Sequence, residues 1–228
     1  MQYGQFCPVA KSAEILGNGW TLLIVRELLL GSSRFSQLEK GMPRISPTML
    51  TKRLKELEAH GVIRKRPVSG KRGYEYFLTP AGKELAPVIE SLVVWGMRWA
   101  RDELRDDEMD VAFLMFDIER NIVASELPGG ETVLCFQFPD LAEYGRWWVV
   151  CDGDNRDLCY QDPGKDVTAY ITSTSRDLIK VWMGDMPLGQ ALADERVALV
   201  GDSLVCRRFR KWFPLSVAAA IPRPASAA

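Results

Sequence analysis

Between Ser46 and Leu78 the chain encodes a capped helix and then a cationic hairpin, and few folds accommodate that pair in that order. Ser46 is a helix N-cap, and Pro47 occupies the first helical position, where a missing N–H costs nothing. Gly61 ends the helix in the left-handed conformation that L side chains avoid. Leu50, Leu54 and Leu57 recur at i, i+4 and i+7, which makes one face apolar. Thr48, Thr51, Lys52 and Lys55 lie away from that stripe, with Arg53 on its flank. Hydroxyls and cations just past a helix N-terminus suit phosphates and base edges. Val62–Arg66 and Tyr74–Leu78 then read as two strands, with the turn formers in Pro67–Gly73. Arg64, Lys65, Arg66, Lys71 and Arg72 crowd the hairpin tip, where they repel one another unless an anion is near. A helix sized for the major groove followed at once by a basic hairpin is the pattern of a winged helix-turn-helix.

Charge is divided along the chain. Residues 1–101 hold 16 Lys+Arg against 8 Asp+Glu, and residues 102–228 hold 13 against 22, so a net charge of −1 conceals a basic half and an acidic half. Within Arg34–Arg72 there are 11 cations and 3 anions. The positive field sits on the proposed reading head, and two domains with separate tasks are expected from the 228 residues. No run of eighteen apolar residues exists and no basic segment precedes an apolar core, which predicts a cytoplasmic protein without a membrane span. Five cysteines, none in a C-x-x-C pair, fit reduced thiols. With His60 the only histidine, no metal site is expected. No nucleophile–base pair, phosphate-cradling loop or cofactor motif stands out, so no enzyme is expected.

Taken in order, the chain predicts a helix over Pro8–Leu16, a helix over Trp20–Leu30 that is apolar on nearly every side, and a short helix capped by Ser32 or Ser33 that carries Phe35 and Leu38. After the hairpin, Thr79 and Pro80 start a helix whose stripe Leu85, Ile89, Leu92, Gly96 and Trp99 runs toward Leu104, with a break near Lys83 because Pro87 lacks an N–H. So long a stripe exceeds what a small domain buries, and Ile89, Leu92, Val93, Gly96 and Trp99 are read as a homodimer seam. The alternative is that the acidic half covers it. A further helix covers Val111–Ile122. Strands follow at Thr132–Phe138, Arg146–Cys151, Arg156–Tyr160, Asp166–Thr172 and Arg196–Val200, with helices after Thr174, at Leu188–Ala193 and from Asp202 to about Phe213. The fold class is α+β: a mainly α winged helix-turn-helix over 1–104, then an α+β domain over 105–215 with an antiparallel sheet of about five strands. Residues 216–228 lack periodicity and read as a disordered tail.

Ser46, Thr48, Thr51, Lys52, Arg53 and Lys55 on the helix, with Arg66, Lys71 and Arg72 on the wing, are the candidates for contact with double-stranded DNA. For any one of them a phosphate contact without sequence information stands beside base readout. In the acidic half, Phe136, Phe138, Trp147, Trp148, Tyr170, Trp182 and Phe209 fit either a filled core or a pocket for a small apolar ligand.

The first hundred residues resemble the HxlR family of bacterial regulators, a MarR-like branch of the winged helix-turn-helix proteins. The resemblance rests on Cys7-Pro8-Val9, Gly19-Trp20-Thr21-Leu22-Leu23, Arg34-Phe35-Ser36-Gln37-Leu38, Ile45-Ser46-Pro47-Thr48-Met49-Leu50-Thr51 and Tyr74-Glu75-Tyr76-Phe77-Leu78-Thr79-Pro80. It implies a transcription regulator, a homodimer joined by terminal helices on a two-fold operator. It also makes Cys7, directly before a helix start with Lys11 one turn on, an alternative switch that responds to oxidants or electrophiles. The second half is similar to a sterol-carrier-protein-like domain through Asp166–Thr172, Met183-Gly184-Asp185 and Arg196–Asp202. That likeness implies an apolar tunnel. It leaves open a third alternative, a lipid-binding carrier whose basic head meets an anionic membrane surface.

Overall fold

The computed structural model describes residues 2–70, 72–100 and 105–222. The chain divides into two compact units, Met1–Val93 and Val94–Ala228. Among the described residues no helix is long and apolar enough to cross a membrane.

The first unit is built from α1 (Pro8–Leu16), α2 (Thr21–Leu29), α3 (Phe35–Lys40), α4 (Pro47–Ala59), the hairpin β1 (Ile63–Pro67) and β2 (Tyr74–Leu78), α5 (Pro80–Lys83) and α6 (Ala86–Trp95). Its core gathers Ile24, Val25 and Leu28 of α2, Leu38 of α3, Leu50, Leu54 and Leu57 of α4, and Val62, Ile63 and Leu78 of the hairpin. The local signals act as expected at α4. The Ser46 hydroxyl accepts from Met49 N, and Gly61, at φ +70, turns the chain so that Val62 N donates to Leu57 O. The cap of α3 is a correction: Arg34 is the N-cap, and Gln37 Oε1 reaches back to accept from the Ser33 and Arg34 amides at 2.9 Å each. Thr79 Oγ1 accepts from Gly82 N to start α5. That helix stops at Lys83, whose carbonyl would have no amide to meet at Pro87. Past Trp95 the turn widens to a π-helical segment, Gly96–Ala100, and the expected end near Leu104 lies outside the described residues.

The second unit holds α7 (Val111–Asn121), β3 (Glu131–Gln137), β4 (Arg146–Asp152), β5 (Asn155–Cys159), β6 (Ala169–Ser173), α8 (Ser175–Trp182), α9 (Leu188–Ala193), β7 (Val197–Gly201), α10 (Ser203–Arg207) and α11 (Phe209–Trp212). The five strands form one sheet in the order β5-β4-β3-β6-β7. The sheet is mixed, which corrects the antiparallel expectation: β3 and β6 pair in parallel, with Cys135 opposite Tyr170. The cause is the connection after β5. Because β5 runs in the same sense as β3, a strand on the far side of β3 begins parallel to it only if the chain first returns along the sheet. Residues 160–168 do that, and Val167 packs on Val133, Cys135 and Trp148 as they pass. The opposite face carries α7, α8 and α11 around Leu134, Phe136, Val149 and Ile171. The single last helix expected from Asp202 is two short ones broken at Arg208. Val217–Ala220 forms a 3-10 turn with Ala218 buried, and Ser216 N donates to Trp182 O. Residues 223–228 of the expected tail lie outside the described residues.

Candidate nucleic-acid interface

The outward face of α4 follows from its inward one. With Leu50, Leu54 and Leu57 buried, Thr48, Thr51, Lys52 and Lys55 are exposed together. Lys52 and Lys55 form no ion pair among the described residues. Ser46 sits at the mouth of the same face, but its hydroxyl oxygen is occupied by the cap. Arg53 is placed differently. Its Nε donates to Gly19 O at 3.0 Å, its Nη1 meets Glu56 Oε2 at 2.5 Å, and the side chain is only 13 % exposed. Arg53 therefore ties the α1–α2 turn to α4 and is held away from the open face.

The wing is braced from behind. Tyr76 N donates to Ser33 O at 2.8 Å, and Arg34 bridges Glu75 antiparallel, so the residues before α3 tie to the two-stranded hairpin. Arg66 pairs with Glu75 at 3.2 Å and lies over the Phe77 ring at 4.8 Å. Lys65 pairs with Glu58 at 3.1 Å, and that hydrogen-bonded carboxylate raises its ammonium pKa above the usual lysine range. Arg64 and Arg72 are exposed without an ion pair among the described residues, and Lys71 lies outside them. Arg64 was not among the expected contacts. The residue alternation that buries Ile63 points toward it.

A charged group beneath this surface went unread in the sequence. Glu27, fully buried in α2, accepts from Arg26 Nε and Nη2 at 3.1 and 2.8 Å and from Ser32 Oγ at 3.2 Å. Arg26 Nη2 also donates to Gly41 O at 3.0 Å, which fastens the end of α3 and hence the turn into α4. Gly41 has to be glycine: a Cβ there would lie 2.3 Å from the Glu27 carboxylate. The signal was present, since an anion inside a helix apolar on nearly every side needs a buried partner.

A family model for the HxlR-like helix-turn-helix matches residues 15–104. The HTH-type transcriptional regulator YvaP of Bacillus subtilis is 41% identical over 102 residues, covering 43% of this chain and 94% of that protein. The chain belongs to the HxlR family of helix-turn-helix transcriptional regulators. A second relative, an HTH-type transcriptional regulator of Synechocystis, is 37% identical over 102 residues, 44% of this chain and 75% of that one. Among solved structures, the oxidised redox regulator HypR is 28% identical, covers 43% of this chain and 100% of its own, and has a TM-score of 0.40. Each of these three matches spans less than half of the chain.

Cys7 is half-buried at the N-cap of α1. Its carbonyl accepts from Lys11 N, while the Lys11 ammonium pairs with Glu14 at 3.1 Å rather than with the thiol. The Tyr3 amide and then Lys11 hold the Glu14 carboxyl below its usual pKa. Of the expected seam, Leu92 and Trp99 are exposed, 44 % and 58 %, whereas Val93 and Gly96 are half-buried and Ile89 packs against the core of the first unit.

The aromatic residues of the second unit do not converge on one cavity. Phe136, Phe138, Trp182 and Phe209 fill the helix-covered core, with Phe209 stacked on Phe213 at 4.8 Å and Trp182 edge-on to Phe213 at 5.4 Å. Trp147 shares that face, whereas Trp148 and Tyr170 lie on the other. The adjacent pair Trp147–Trp148 splits between the faces as strand alternation demands. An open cleft of about 740 Å³ does exist at the end of the sheet, walled by the Phe138–Gly145 loop, Arg146 and Tyr160. Of the expected pocket residues it includes Phe138 alone.

Proposed function

We propose that this HxlR regulator acts as a homodimer that reads a two-fold operator with α4 in successive major grooves. Thr48, Thr51, Lys52 and Lys55 reach the base edges and adjacent phosphates. Arg64, Arg66, Lys71 and Arg72 of the wing meet the flanking backbone. Ser46 and Arg53 set the position of α4 and stay off the DNA. The observation that carries this reading is the exposed row Thr48, Thr51, Lys52 and Lys55, its lysines without an ion pair among the described residues, beside a braced cationic wing. The partner copy docks along α6, and the second unit takes up a small effector that shifts the dimer between states of high and low operator affinity.

The test is fluorescence anisotropy on duplex from upstream of the gene and on a scrambled control, over a salt series. Lys52, Lys55, Arg64, Arg66, Lys71 and Arg72 make about twelve phosphate-range cations per dimer, so log K should fall against log salt with a slope of about −11. Lys52→Ala should make the slope shallower by about 2 per dimer. A salt-independent affinity, or equal weak binding to both duplexes and to a random pool, would refute it.

A second reading uses Cys7 as the switch, favoured by its place at a helix start. Cys7→Ser then abolishes a diamide response of the same anisotropy signal. A response that persists in the variant removes the reading.

A further inference from the structure

The cleft at the end of the sheet is built unlike the rest of the second unit. Tyr144, Trp147 and Tyr160 form a triangle of rings, with centroids 6.0 Å apart for Tyr144–Tyr160, 6.3 Å for Trp147–Tyr160 and 6.4 Å for Tyr144–Trp147. Trp147 is buried, yet Tyr144 and Tyr160 are 61 % and 56 % exposed. Phe136, Phe138, Trp182, Phe209, Trp212 and Phe213, by contrast, lie in the core. Tyr144 also stands at φ +55, a left-handed backbone that costs a non-glycine residue about 1 kcal/mol. Its carbonyl accepts from Trp147 Nε1 at 2.8 Å, and the neighbouring Gly145 carbonyl accepts from Phe138 N at 2.8 Å. The strained residue is thus clamped on both sides with its ring turned out to the cleft mouth. Strain retained at an exposed ring is a mark of a ligand clamp.

The polar side of the same cleft is a row across three strands. Arg146 faces Gln137, and Gln137 faces Thr172, in register. Gln137 Oε1 accepts from Thr172 Oγ1 at 3.0 Å, which leaves the Gln137 amide N–H groups as donors. Among the described residues Arg146 has no ion pair and Gln137 Nε2 no acceptor. A guanidinium and an amide, both donors and both unpaired among the described residues, reach the end of the sheet from the face opposite Trp147 and line the same open cleft as Tyr144 and Tyr160. Such a set takes a carboxylate attached to a flat aromatic body: the rings stack or meet edge to face, and the donors fix the acid group. A quaternary ammonium, the other usual guest of an aromatic cage, is disfavoured by Arg146. Glu143, exposed on the loop side, disfavours a second negative charge. The volume of about 740 Å³ suits one to three fused rings.

We infer that this cleft binds a planar aromatic monocarboxylate, with Tyr144 and Tyr160 holding the ring and Arg146 and Gln137 the carboxylate. The inference deepens the effector role proposed above and rests on that reading only for its effect on DNA. Its test is calorimetric titration of the full chain with 2-naphthoate, with the neutral 2-naphthylmethanol and with cyclohexanecarboxylate. Saturable 1:1 binding of 2-naphthoate is expected, with each of the other two about tenfold weaker. Arg146→Gln should weaken 2-naphthoate about tenfold and leave the alcohol within about twofold, whereas Tyr160→Ala should weaken both. Both positions are exposed and outside the core, and circular dichroism of each variant is the control for folding. Absence of saturable binding up to about 2 mM, or variants that bind as the parent does, would overturn the assignment. Operator binding by the same preparation separates the two readings. DNA binding without naphthoate binding sinks the cleft alone, and naphthoate binding without DNA binding sinks the regulator reading alone.

Discussion

Removing the Glu27 side chain should loosen the DNA-reading unit more than its distance from the surface suggests. The carboxylate is fully buried and accepts from two Arg26 nitrogens and from Ser32 Oγ. Glu27→Ala leaves a hydroxyl and a guanidinium facing a void. Breaking a buried pair by deleting one partner costs about 3–5 kcal/mol. The Arg26 side chain is 26 % exposed, so water can reach it and the low end applies: about 3 kcal/mol, a factor of about 100. Glu27→Gln keeps the shape and one acceptor and exchanges charged hydrogen bonds for neutral ones, which costs about 1–2 kcal/mol or about tenfold. Because the chain has two units, a single melting temperature would blur the effect. Hydrogen–deuterium exchange resolves it. Peptides covering α2 to α4 should lose about 100-fold protection in Glu27→Ala and about tenfold in Glu27→Gln, with β3 and β4 unchanged. Operator affinity should fall in the same order, because Arg26 fastens Gly41 at the approach to α4. Less than about fivefold loss in Glu27→Ala would refute the claim that this carboxylate anchors the turn.

Three more expectations are independent of that one. Leu92→Asp, at an exposed position of α6, should shift sedimentation from dimer to monomer at micromolar concentration; an unchanged dimer would place the seam elsewhere. Burial pushes the Cys135 and Cys151 thiols up to about 11, so at pH 8 a disulfide reagent should label Cys7 well ahead of both. A proton that the folded chain holds to about pH 11 and the unfolded chain releases near 9 lowers stability as pH rises through that window, so denaturant midpoints should fall between pH 9 and 11; a flat profile would contradict the burial of the two thiols.

What could be read from residues alone tracks how local each cause is. The caps at Ser46, Thr79, Thr174 and Asp202 depend on three or four neighbouring residues, and all four act as written. Strand positions also emerged, because alternation is local. Strand pairing did not: the parallel β3–β6 ladder depends on the path of residues 160–168, which no pattern in β3 or β6 encodes. The aromatic content of the second unit left core and cavity equally open, and Phe209, Phe213 and Trp182 pack into one another. Tyr144 and Tyr160 became candidates only once a left-handed turn and an edge strand brought their rings to 6.0 Å.

The same distinction between residue type and placement decides how formal charge becomes binding charge. Arg53, Lys65 and Arg66 each pair with a carboxylate of the same unit, and pairing alone would remove all three from the DNA. Exposure separates them. An exposed ion pair contributes about 0–1 kcal/mol, less than a charge-assisted contact to phosphate, so Arg66, 68 % exposed, can exchange Glu75 for the backbone of a duplex. Arg53, 13 % exposed and bonded to Gly19 O as well, would have to give up a contact that holds α1 and α2 to α4. Its cation therefore belongs to the scaffold, although it lies on the reader helix. Glu75, bound by Arg34 from one side and Arg66 from the other, holds the Arg66 guanidinium in place, so in the proposed complex less side-chain freedom is lost when Arg66 turns to the duplex.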